Sequence, residues 1–309
     1  MVSAVQSILT IVVTAEFVVG NFANVFITLV NCTDWVKRKR ISSVDRILTA
    51  LAVSRIGLLW VMFLSWSFTL FNPALKSGMI AHFFWTITNH FSTWIATSLS
   101  VFYLLKIASF SNLIFLHLKK RGNNIIVLIL LWCLVLLVSK LVISVYDITG
   151  LKEHKGNLTW KRELGNTVYL PIRGALTVVY FIPIIISIVC FLLLIYSLRK
   201  HLRQMHQHSK GSQDISTEVH VKALKTVISH LLLLIMYCLS ILISHWNFTI
   251  LQNESVFLLS KITVILYPSS HSCILIWGNR KLKQAFMLGV QQARCWLKEK
   301  EPSSPYQQE

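Results

Sequence analysis

Seven apolar stretches, each carrying at most one Asp, Glu, Lys or Arg, constrain this chain more than any other feature. They run approximately over 7–31, 47–71, 82–110, 125–146, 174–198, 226–246 and 257–277, each long enough to cross ~30 Å of hydrocarbon as a helix. Inside a bilayer no water completes backbone hydrogen bonds, so only helices and closed barrels can span it. The alternation a barrel strand needs is absent, which leaves helices. With 54% hydrophobic and 14% charged residues, the chain also lies outside the usual range of soluble domains. The expected fold is an all-α membrane protein, a seven-transmembrane helix bundle over 1–277 followed by a tail over 278–309.

The net charge of +18 suggests nucleic acid until its distribution is considered. Segments 32–46, 111–124, 199–225 and 278–309 hold 20 of the 30 basic residues; the alternate set, 1–6, 72–81, 147–173 and 247–256, holds 6. Basic loops stay on the cytoplasmic side. The expected topology therefore has the N-terminus outside and the C-terminus inside, and a nucleic-acid partner is excluded in favour of membrane lipids and a docking protein. The sequons agree: Asn157, Asn247 and Asn253 fall outside, with Asn157 the strongest acceptor because the other two lie close to the bilayer. Asn31, in a further sequon, falls inside and should be unused.

The start of the chain lacks a basic n-region and a cleavage signature, so the first apolar run is expected to be a retained span. The six cysteines are scattered without paired spacing, which points to neither a disulfide framework nor a metal site. No cofactor is expected. Beyond the seventh stretch, Leu282, Phe286, Val290, Ala293 and Leu297 recur at helical spacing among Lys281, Lys283, Gln291 and Arg294. That pattern predicts a short amphipathic helix on the inner leaflet, with a disordered end after it.

Motifs narrow the class. The first two stretches carry 20-GNFANVFITLVNCTDWVKRKRISSVDRILTALAVSR-55 and the third 89-NHFSTWIATSLSVFYLLKIASFSNLIFLHLKKR-121. Between the fifth and sixth lie 197-SLRKHLRQM-205 and 211-GSQDISTEVHVKALKT-226, and the seventh carries 267-YPSSHSCILIWGNRKLKQ-284. Together these resemble the bitter taste receptors, the taste receptor type 2 family of G-protein-coupled receptors, over nearly the whole chain. The acidic-Arg-aromatic triplet and the Asn-Pro…Tyr motif of ordinary rhodopsin-like receptors are missing, as the resemblance requires. It implies a plasma-membrane receptor, not an enzyme, activated by diverse small bitter compounds and coupled to a gustducin-type G protein. Whether it forms homo- or hetero-oligomers is left open.

Polar residues inside the stretches are costly and call for partners. Arg55 lies deep in the second stretch, with Asn24 on the first and Ser269, Ser270 and His271 on the seventh at matching depth. One reading is a structural clamp of three helices. The other, which the resemblance favours, is an activation switch of Asn24, Arg55, Tyr237, Pro268 and His271. Trp85, Asn89 and Ser92 fall on one face of the third helix, a pattern that suits packing or a ligand wall. In the resembled family the matching Trp and Asn positions line the agonist pocket. Trp66, Phe181, Tyr237 and Trp246 are further candidates for it. Lys261 near the outer start of the seventh stretch either snorkels to headgroups or faces this pocket, where it would favour anionic or carbonyl-rich agonists. By resemblance Tyr103, Lys106, Lys119, Lys120, Arg121, Lys222 and Lys225 form the G-protein-facing end; for Lys106, snorkelling is the alternative.

A membrane transporter or channel is the rival reading, but the halves share no repeat and intramembrane charges are few. A hydrolase would need converging carboxylates and histidines, and Glu16 is the one carboxylate inside the stretches.

Overall fold

A computed structural model describes residues 2–38, 42–71, 78–153, 159–208, 215–246 and 254–300. Their helices are α1 (Val2–Arg38), α2 (Ser43–Phe71), α3 (Gly78–Ile107), α4 (Leu113–Lys120), α5 (Gly122–Glu153), α6 (Thr159–His208), α7 (Ile215–Trp246), α8 (Glu254–Gly278) and α9 (Arg280–Lys300). The seven apolar stretches fall in α1, α2, α3, α5, α6, α7 and α8. Five helices are long and apolar enough to cross a membrane over their described residues, in α1, α2, α5, α6 and α7. The protein is an all-α, multi-pass membrane protein: a seven-helix bundle with an amphipathic helix, α9, at one end.

The helices are longer than the hydrocarbon requires, because polar ends continue the same backbone ladder; α6 runs on to His208. Local signals set the boundaries that can be read. Ser42 Oγ accepts from Asp45 N at 3.1 Å at the start of α2. Asn112 caps α4, its side chain accepting from Ile114 N at 2.9 Å. Asn279 Oδ1 accepts from Lys281 N at 3.0 Å, which starts α9 directly after α8. The eight-residue α4 is a helix that hydropathy does not reveal.

α1 packs on α2 and α8, α2 on α3, α3 on α5 and α6, α6 on α7, and α7 on α8. α3 thus runs between two cores. Leu99 joins Ile27, Leu48, Leu51, Leu275 and Leu282 in one, while Leu104 and Ala108 join Ile184, Leu194, Leu234 and Tyr237 in the other. Leu128, Leu131, Trp132, Val135 and Val138 of α5 are exposed, as expected of a surface solvated by lipid tails. At the α9 end, Lys281 Nζ reaches Asp34 at 2.8 Å, Asp45 at 3.3 Å and Asn31 Oδ1 at 3.0 Å. One ammonium therefore holds α9 against α1 and α2. Asn31 is buried and also donates to Thr49 Oγ1 at 3.1 Å, so its sequon offers no accessible amide.

Candidate functional site

Arg55 is fully buried on α2, where a guanidinium must recruit hydrogen-bond acceptors from neighbouring helices. Its Nη1 donates to Ser272 Oγ of α8 at 2.9 Å. That hydroxyl lies 2.8 Å from Asn24 Oδ1 of α1 and 2.9 Å from Pro268 O, the two acceptors open to its single proton. Asn24 Nδ2 completes the chain by donating to Gly20 O at 2.7 Å. These bonds join α1, α2 and α8, and their common link is Ser272. Ser269 turns instead toward α1 and donates to Glu16 O at 3.1 Å.

The guanidinium also sits 5.9 Å from the centre of the Tyr267 ring. Tyr267 stacks on Tyr237 of α7, centroids 4.3 Å apart and planes at 24°, and lies 5.7 Å from His271. His271 stacks in turn on His230 of α7 at 4.5 Å. Arg55 Nε and Nη2, His230 Nε2 and His271 Nδ1 are buried without a hydrogen-bond partner among the described residues. This belt thus carries hydrogen-bonding capacity beyond the bonds it makes among the described residues.

Tyr237 connects the belt to α3. Its hydroxyl donates to Asn89 Oδ1 at 3.2 Å. Asn89 and Ser92 are buried, and Trp85 one turn earlier is half-buried. Phe181 of α6 packs on the core that contains Tyr237. Trp66 of α2 is half-buried, with its Nε1 shielded and unpartnered among the described residues. Of the residues read as a ligand wall, Asn89 and Tyr237 are therefore brought into contact, with Phe181 against the same core. Trp246 and Lys261 fall in α7 and α8, but their side chains lie outside those described, as do Asn157, Asn247 and Asn253.

At the α9 end, Lys106, Lys120 and Arg121 are exposed. Tyr103 is half-buried and packs on both cores. Lys119 is engaged within the fold, donating to Ala108 O just past α3 at 3.1 Å. Lys222 and Lys225 line a groove between α7 and α8.

The family model described as Taste receptor protein (TAS2R) matches residues 1–294. The chain belongs to the type 2 taste receptors. Taste receptor type 2 member 31 of Homo sapiens is 53% identical over 309 residues, covering 99% of this chain and 100% of that protein. Putative taste receptor type 2 member 33 of Homo sapiens matches at 53% over the same shares. Taste receptor type 2 member 46 of Homo sapiens matches at 50% over 308 residues, 98% of this chain and 100% of that one.

In this taste receptor, sequence reasoning missed four features of the packing. Tyr267 was recoverable as an aromatic directly before the helix proline, and His230 as an imidazole set among apolar residues, where a polar ring needs a partner. The third joins α3 to α6: Thr97 Oγ1 lies 2.9 Å from Pro183 O, and Ser187 Oγ donates to Thr97 Oγ1 at 2.9 Å. A buried pair, Lys140 Nζ of α5 at 3.3 Å from His90 Nδ1, also ties the receptor's α5 to α3. Lys140 is the single charged residue of its apolar stretch, but its partner on α3 had no signal of its own.

Proposed function

We propose that this receptor detects small bitter compounds at the plasma membrane and activates a gustducin-type heterotrimeric G protein. Family membership supports the sensory role, and the distribution of basic residues supports a cytoplasmic α9 end with the N-terminus outside. The agonist would sit between α3, α6 and α7 in the outer half, against Trp85, Asn89, Phe181 and Tyr237, with Trp66, Trp246 and Lys261 around it. Such a wall is mostly apolar and aromatic, which suits varied ligands because apolar contact demands little geometry.

The hydrogen bond from Tyr237 to Asn89 carries the mechanistic reading. An agonist that competes for either partner would release Tyr237 from α3. The Tyr237–Tyr267 stack would then shift, and with it the packing beside Arg55 and His271. Agonist binding would thereby bias the belt toward a second arrangement, which is how a ligand with unequal affinity for two states acts. Tyr103, Lys106, Lys120 and Arg121 would present the G-protein-facing end. Calcium release in cells expressing the receptor with a gustducin-chimaeric G protein, screened against a bitter panel, tests this. The expected result is a response to some compounds that is lost in Asn89→Leu at normal surface level; an unaltered response in that variant would remove the ligand from α3.

A further inference from the structure

A groove of about 310 Å³ lies between α7 and α8 at the α9 end, lined by Lys222, Lys225, Thr226 and Ser229 and by Ile274 and Trp277 across from them. Its position decides what it can meet. On α7 the buried residues at this level are Val227, His230 and Leu231; on α8 they are Ser272, Leu275 and Ile276. The groove residues occupy the opposite faces of both helices, so it opens outward to lipid and not into the bundle where a G protein would insert. Trp277 is 52% exposed there, an amphipathic ring of the kind that settles at the bilayer interface.

The positive charge at this groove is only partly compensated. Lys222 and Lys225 are exposed, and Lys283 of α9 holds its ammonium 5.4 Å from the Trp277 ring centre. Lys283 also lies close enough to Lys222 for the two ammonium groups to repel. Glu218, one turn earlier on α7, offsets part of this. The nearby acids Asp34 and Asp45 are already bound by Lys281. The hydroxyls of Thr226 and Ser229 donate to the carbonyls of Lys222 and Lys225 at 3.0 Å each, so the lysines are the donors left for an incoming anion.

We propose that this groove binds an anionic phospholipid whose headgroup carries more than one phosphate. Two or more phosphates can draw Lys222, Lys225 and Lys283 together and remove the Lys222–Lys283 repulsion, while Ile274 and Trp277 receive the glycerol and upper acyl chain. A headgroup with a single charge satisfies one ammonium and leaves the others opposed. This inference rests on the reading that the α9 end is cytoplasmic, the leaflet that carries anionic lipid. It also moves Lys222 and Lys225 from the G-protein surface to the lipid surface.

The test uses the full receptor in phosphatidylcholine nanodiscs, titrated with phosphatidylinositol bisphosphate or with phosphatidylserine at equal total charge. Retained lipid is read by native mass spectrometry. The bisphosphate lipid should be retained preferentially. Lys222→Gln, Lys225→Gln and Lys283→Gln should each lower that retention by about fivefold, the weight of one lysine at an anionic surface. Lys→Arg at the same positions should preserve it, and Lys106→Gln should leave it unchanged. Equal retention of the two lipids, or equal loss in Lys106→Gln, overturns the proposal in favour of general charge attraction. G-protein activation that falls in Lys222→Gln in nanodiscs of phosphatidylcholine alone also overturns it, because the lysine then contacts protein. The topology is checked separately on the exposed Cys295 of α9. Its labelling by an impermeant maleimide in intact cells would refute the cytoplasmic reading itself, whereas protected Cys295 with unselective lipid retention refutes only the groove.

Discussion

Tyr237 of α7 donates its phenolic proton to Asn89 Oδ1 of α3 at 3.2 Å, joining two residues 148 positions apart inside the bundle. The same tyrosine stacks at 4.3 Å on Tyr267, beside Arg55. The candidate ligand wall and the polar belt therefore share one side chain. Removing its hydroxyl in Tyr237→Phe leaves the stack in place but removes this buried hydrogen bond, at a cost of about 0.5–1.5 kcal/mol. Thermal unfolding of the purified receptor should show lower stability. In a cycle with Asn89→Leu the two losses should not add, because either change removes the same bond. Additive losses would mean that the hydrogen bond contributes little.

Arg55 separates clamp from switch. Arg55→Met keeps an unbranched stem, removes the buried charge together with its unpaired nitrogens, and leaves Ser272 Oγ its acceptors Asn24 Oδ1 and Pro268 O. Surface expression should stay near that of the parent receptor while agonist-driven calcium release is lost. Loss of surface receptor in this variant would instead make Arg55 a clamp alone.

How much of this was legible in sequence depended on whether the signal was local. Hydropathy located the membrane stretches because each is a property of consecutive residues. Arg55, Asn24 and His271 stood out for a similar reason, being polar groups where polarity is expensive. Their pairing did not stand out: Ser272 lies 217 residues from Arg55, and a serine in an apolar helix has many possible partners. The choice of Ser272 over Ser269 follows from helix rotation, which spacing along one strand of sequence does not determine. α4 was missed because eight residues make too short an apolar period, although Asn112 before it is an ordinary capping residue. Lys281 read as one of several polar positions on an amphipathic helix, and its two carboxylate partners became apparent only when α1 and α2 were folded beside it.

That cluster gives a further prediction. Lys281 is partly exposed, so its ion pairs carry modest weight, roughly 0.2–1 kcal/mol. Lys281→Met should accordingly change the unfolding temperature little while loosening α9, seen as faster amide exchange over 280–300. Lys281→Glu places a third carboxylate beside Asp34 and Asp45 and should have the larger effect. Asp34→Lys added to Lys281→Glu should restore protection. No difference in α9 exchange between Lys281→Met and Lys281→Glu would remove the electrostatic account of how α9 is held.

Gly20 tests how closely α1 and α8 must approach. A Cβ at this position would overlap Ser269 Oγ and come within 2.7 Å of Leu59 Cδ1. Leu59 is a buried side chain whose terminus can rotate away, but Ser269 is tied to Glu16 O at 3.1 Å. The strain therefore falls on the α1–α8 contact. Overpacking of this size costs about 1–3 kcal/mol. It would displace Ser272, which sits one turn beyond Ser269 and links Asn24 to Arg55. Gly20→Ala should thus reduce both the surface level and the agonist response. Ser269→Ala removes the overlapping oxygen, and in combination with Gly20→Ala it should recover much of both. Failure of that second change to recover either readout would place the damage at Leu59 and α2 instead of at the α1–α8 contact.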